Sequence, residues 1–141
     1  MLARHLLQRI YGTMILAATD PLTARAIVDR AESTLGSEDN CVFCSIMLSV
    51  PAAMACAAVG DLEHANHHLR QAEGSAMMWE GTAWEAATAE ARAVVLAAEG
   101  DLVAAEAELA AAVDRFEQAG HPLDVARCRR RQLATVGAPG R

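Results

Sequence analysis

Gly60-Asp61-Leu62-Glu63-His64-Ala65-Asn66-His67-His68-Leu69-Arg70-Gln71-Ala72 and, 40 residues later, Gly100-Asp101-Leu102-Val103-Ala104-Ala105-Glu106-Ala107-Glu108-Leu109-Ala110-Ala111-Ala112 share one pattern, Gly-Asp-Leu-x-x-Ala-x-x-x-Leu-x-x-Ala. The likeness extends backwards, with Ala53, Ala57 and Ala58 returning as Ala93, Ala97 and Ala98. A fainter copy lies upstream at Leu16, Ala17, Ala18, Asp20, Pro21 and Leu22. Repeats of this length arise when one helical hairpin cannot bury its own apolar face and stacks on a neighbour.

In each strong copy the glycine supplies the left-handed residue that ends one helix, and the aspartate caps the free N–H groups of the next. Asp20-Pro21 pairs an N-cap with proline at the first helical position, where its missing N–H costs nothing. Thr82 with Glu85 three residues later forms a capping box, and Gly120-His121-Pro122 stops one helix and starts the last. This punctuation predicts helices over about 2–18, 21–35, 39–59, 61–75, 82–99, 101–119 and 122–135. The expected fold is all-α: tandem antiparallel helical hairpins with a period of about 40 residues and about seven helices. A single domain is expected over 1–136, with a frayed tail at 137–141. Ala53 with Ala65, and Ala93 with Ala105, are expected where the two helices of a hairpin approach closely.

The bulk numbers agree. Hydrophobic residues make up 53% of the 141-residue chain and aromatics only 4%, so its helices pack through small side chains. All the basic residues are arginine, which reads as the mark of a GC-rich genome. A formal charge of -6 repels a nucleic-acid backbone, so direct nucleic-acid binding is not expected. No apolar run reaches the roughly 18 residues of a membrane span. Arg4 and Arg9 before Ile10–Ala18 loosely imitate a signal peptide, but Leu2, Leu6, Leu7, Ile10 and Met14 recur at helical spacing and no small-x-small cleavage site follows. A cytoplasmic protein with reduced cysteines is expected.

The Gly-Asp-Leu pattern resembles the middle of a tetratricopeptide (TPR) motif, in which a small residue of the first helix packs on a small residue of the second. Trp79-Glu80-Gly81-Thr82-Ala83-Trp84, Glu90-Ala91-Arg92-Ala93 and the stretch from Phe116 to Cys128 resemble the C-terminal TPR-like region of large actinobacterial transcriptional regulators. Those are multidomain proteins with an ATPase and usually a helix-turn-helix segment. The resemblance spans roughly residues 41–133. It implies stacked hairpins and a protein-binding role. The chain has no phosphate-cradling glycine-rich loop with Lys-Ser/Thr and no separate helix-turn-helix, so ATPase and DNA-binding activities are not carried over. Its 40-residue period, against the usual 34, implies longer hairpins.

Candidate chemistry is sparse. Cys41-Val42-Phe43-Cys44 has the spacing of a zinc or redox pair. His64, His67 and His68 are the obvious further ligands, but helical rise places Cys44 about 24 Å and His68 about 12 Å from the Gly60 turn. No metal site or cofactor is therefore assigned, and the cysteines are read as core or cap-region residues. The three histidines read as a solvated helix face, with a pH-sensitive patch as the functional alternative. Arg127, Arg129, Arg130 and Arg131 read as the outer face of the last helix, opposite an apolar stripe of Leu123, Ala126, Leu133 and Val136. Glu85, Glu90, Glu99, Glu106 and Glu108 have no partner nucleophile, so no catalytic residues are assigned and no enzyme is expected.

Trp79 and Trp84 are expected to be structural, each burying its ring at a hairpin junction while its indole N–H finds an acceptor, with an exposed aromatic recognition pair as the alternative. TPR hairpins turn their first helices towards an inner groove. Carrying those positions over through the Gly-Asp turn selects Leu7, Ile10, Met14 and Ala17 in the first copy and Met47, Val50, Met54 and Ala57 in the second. The third contributes Ala87, Glu90, Val94 and Ala97. Apolar, methionine-bearing positions suit a peptide, an amphipathic helix or a second copy of the chain. The expected function is a non-catalytic interaction module with a protein or peptide partner. The alternative is a small-molecule or metal-binding sensor using Cys, His and Met.

Overall fold

The computed structural model describes residues 2–36 and 41–136. These form seven helices and no strand: α1 (Leu2–Ala17), α2 (Pro21–Leu35), α3 (Ile46–Ala58), α4 (Leu62–Ala76), α5 (Ala83–Glu99), α6 (Leu102–Gln118) and α7 (Pro122–Val136). The tail expected at 137–141 lies outside the described residues. Consecutive helices pair as hairpins α1/α2, α3/α4 and α5/α6; α3 also packs on α1 and α5, and α7 closes against α6. No helix among the described residues is long and apolar enough to cross a membrane.

The repeated sequence makes repeated turns. Asp61 N–H donates to Cys56 O and Gly60 N–H to Ala57 O, while Asp101 N–H donates to Leu96 O and Gly100 N–H to Ala97 O. This is the Schellman pairing, and the positive φ of Gly60 (79°) and Gly100 (92°) is the reason for glycine there. Asp61 and Asp101 then accept from the backbone N–H three residues on. Ala53, Ala65, Ala93 and Ala105 are all buried, as the small-pair reading requires. Thr82 accepts from Trp84 N–H, but Glu85 reaches Gly81 N–H (2.7 Å) rather than the cap residue, so the box is displaced by one residue.

α3 is covered on nearly every side, because α1, α2, α4 and α5 all pack against it. Its Pro51 removes the N–H that would bond Met47 O. A Cβ added to Gly12 would meet that oxygen at 2.0 Å, so the Gly12 backbone of α1 lies directly against the carbonyl that proline leaves without its helical donor.

Two expectations are corrected. α3 begins at Ile46, not near residue 39, because Cys44 and Ser45 both donate to Cys41 O and Ser45 Oγ donates to Val42 O, closing a separate turn. Trp79 Nε1–H also claims the Phe43 carbonyl (3.0 Å). On α7 the expected inward stripe is outward: Leu123 and Leu133 are exposed, while Val125 and Cys128 are buried. The cause is electrostatic, since Arg127 and Arg131 turn inwards to a buried carboxylate.

Candidate functional site

That carboxylate is Glu90 on α5, which is fully buried. Arg127 meets it in bidentate fashion, Nε to Oε1 at 2.8 Å and Nη2 to Oε2 at 2.5 Å, and Arg131 Nε donates to Oε1 at 3.0 Å. Arg127 also donates to Asp124 one turn earlier. Donating to Glu90 raises the Arg127 pKa against the opposing effect of burial, so the guanidinium stays charged. Its carbon lies 5.8 Å from the Phe116 ring centroid, within cation–π reach. Among the described residues the buried Glu90 carboxylate is thus met by two partly exposed guanidiniums, the pairing a buried charge requires.

A cleft of about 300 Å³ opens above this cluster. Its walls come from α1 (Leu16), α3 (Val50, Pro51, Met54), α5 (Ala83, Trp84, Ala87), α6 (Phe116) and the start of α7 (His121, Asp124). Apart from the ion cluster and the rim pair of His121 Nδ1 with Asp124 Oδ2 (3.2 Å), the lining is apolar. None of these lining residues brings a hydroxyl or thiol, and the polar groups present, Glu90, Asp124, His121 and Arg127, are paired with one another.

Of the expected groove residues, Val50, Met54, Ala87 and Glu90 line this cleft together. Val50 is buried at the wall and Met54 is half-buried. Leu7, Met47 and Val94 instead pack against the main core, and Ile10 and Met14 are exposed on α1 without lining the cleft. Only part of the carried-over set therefore faces this cleft. Leu16, Phe116, Arg127, His121 and Asp124 were missed. Trp84 sits three and six residues before Ala87 and Glu90, a helical spacing that pointed to the cleft; the Glu90–Arg127 pairing, 37 residues apart, left no local signal.

The other candidates scatter. His64 and His67 stand at the surface of α4, but His68 is buried and its Nε2 lies 3.0 Å from Glu32 Oε1, so it does not belong to a solvated face. Arg129 pairs with Glu117 at the surface. Cys56 and Cys128 are buried, and burial pushes both thiols up to about 12. Cys41 and Cys44 lie in the turn before α3, far along the chain from the histidines of α4 but beside His5 of α1. Trp79 stacks on Phe43 (centroids 4.3 Å apart) and its indole N–H finds the Phe43 carbonyl, but Trp79 and Trp84 are only half-buried, less covered than expected.

Compared with family models, with curated proteins and with solved structures, the chain matches none, so its function has to be read from the cleft itself.

Proposed function

We propose that the chain is a non-catalytic protein-interaction module of the TPR-like type, which receives an apolar helix or peptide of a partner, or of a second copy of the chain, in the cleft over Glu90. The observation that carries this reading is that the first helices of all three hairpins send side chains into one cleft. A flexible thioether (Met54) and a broad indole (Trp84) adapt to the contour of an inserted side chain, and the apolar lining gains from leaving water. The ion cluster ties α7 to α5 as one wall, with the charge of Glu90 met by Arg127 and Arg131. The likeness to the TPR-like region of actinobacterial regulators supports the same reading. The four free cysteines fit a reducing, cytoplasmic setting.

The test is selection from a displayed library of helical peptides, read by the emission of Trp84 in a Trp79→Phe background. Peptides with apolar residues three and four apart, whose binding shifts Trp84 emission to the blue, support the proposal. Failure to enrich any peptide, or enrichment of peptides that leave Trp84 emission unchanged, counts against it. A small molecule is the competing occupant, since about 300 Å³ is the lower end of ligand pockets. Emission shifts from small apolar compounds but from no peptide would favour that alternative.

A further inference from the structure

We propose that His5, Cys41 and Cys44 form a binding site for a thiophilic metal ion, zinc(II) being the best chemical match, that fastens the start of α1 to the turn leading into α3. This site is separate from the cleft and does not depend on its role.

The donor atoms are already gathered. One ring nitrogen of His5 and the sulfurs of Cys41 and Cys44 all lie within 4.8 Å of one another. Tetrahedral zinc with bonds of about 2.1–2.3 Å sets neighbouring donors roughly 3.4–3.8 Å apart, so closure takes small side-chain rotations rather than a change of fold. Two thiolates and a neutral imidazole balance the charge of a divalent ion, and the fourth position is left to water or an added ligand.

The turn has the form of a metal knuckle. Cys44 and Ser45 N–H both donate to Cys41 O at 3.0 Å, which folds the x-x residues outward and brings the two sulfurs to one side. His5 supplies an independent sign: its Nδ1 is buried with no hydrogen-bond partner, a condition that native proteins seldom leave without a ligand or a water. The site is braced on both sides. Arg4 donates to Leu35 O at the end of α2, and Trp79 stacks on Phe43 and donates to its carbonyl.

The experiment uses the full chain, stripped with chelator and kept reduced with a phosphine, and titrated with zinc and with cobalt(II). The expected result is one ion per chain, a thiolate-to-cobalt charge-transfer band with the visible bands of a tetrahedral ion, release of protons on binding, and a change in Trp79 emission in a Trp84→Phe background. Cys41→Ser and Cys44→Ser should each weaken binding about a hundredfold or more, and His5→Ala at least about tenfold, with unchanged far-UV circular dichroism. A Cys56→Ala/Cys128→Ala variant should bind as the parent does. Absence of the charge-transfer band in fully reduced protein, conversion of the pair to a disulfide with no metal uptake, or equal binding by His5→Ala would overturn the proposal.

Discussion

Removing Arg127 should destabilise the protein more than removing the charge of Glu90, although the two side chains form one ion pair. The reason is the difference in exposure: the Glu90 side chain is 1% exposed, whereas those of Arg127 and Arg131 are 38% and 41% exposed. Arg127→Met takes away two of the three guanidinium bonds that reach Glu90 and leaves an anion that cannot reach water. Breaking a buried pair from that side costs about 3–5 kcal/mol, with the lower end expected because Arg131 remains. Glu90→Gln keeps the shape and loses the charge. The arginines can then turn to solvent and Arg127 keeps Asp124, so about 1–2 kcal/mol is expected once the partial solvent screening of both arginines is allowed for. Urea unfolding followed by far-UV circular dichroism measures both, and the double variant should cost less than the sum. Equal losses for the two single variants, or a larger loss for Glu90→Gln, would refute the reasoning.

Gly12→Ala should cost about 1–3 kcal/mol, because its Cβ would strike the Met47 carbonyl, whereas Gly74→Ala, in open space on α4, should gain about 0.5–1 kcal/mol; thermal unfolding compares them. His68 should make stability depend on pH. Burial lowers its folded pKa below 6.5 despite Glu32, and His67 adds to the lowering, so the unfolded chain takes up the proton first. This contribution is therefore intact above about pH 6.5 and is lost as the pH falls towards the folded pKa. The urea midpoint should drop between pH 7.5 and pH 5.5, and His68→Gln should flatten that drop; an unchanged slope would count against it. In native, metal-free protein a thiol reagent should modify Cys41 first and Cys44 more slowly, because Cys41 is held below and Cys44 above the ordinary thiol pKa, and should reach Cys56 and Cys128 only after unfolding, since the latter pair is buried with thiols raised to about 12.

What the sequence made legible was local. The Gly-Asp turns, the helix caps at Asp20, Asp61 and Asp101, and the buried alanines all follow from residues within one turn of each other, so the hairpins could be read directly. The start of α3 could not, because the Phe43 carbonyl is taken by Trp79, 36 residues away. The rotation of α7 was misread for a similar reason. Its leucines look like a core stripe, yet the buried Glu90 holds Arg127 and Arg131 inward and leaves those leucines outside. The Cys41–Cys44 pair was noticed, but a companion histidine was sought on α4, whereas the histidine within 4.8 Å of both sulfurs is His5 of α1. Half the cleft was legible for the same reason that half was not: Val50, Met54 and Glu90 follow the repeat phase, while Leu16, Phe116 and Arg127 enter from other helices.

The central claim is that the cleft over Glu90 is an open binding surface and not unfilled core. Met54→Glu tests it most directly, through paired measurements of folding and of affinity for the selected helical peptides. Met54 is only half-buried, so the account predicts a folded variant that loses about 1 kcal/mol or less of stability and at least tenfold in peptide affinity. Unfolding of the variant would mean that the position is core, and a folded variant that binds as the parent does would mean that the cleft is not where partners are received.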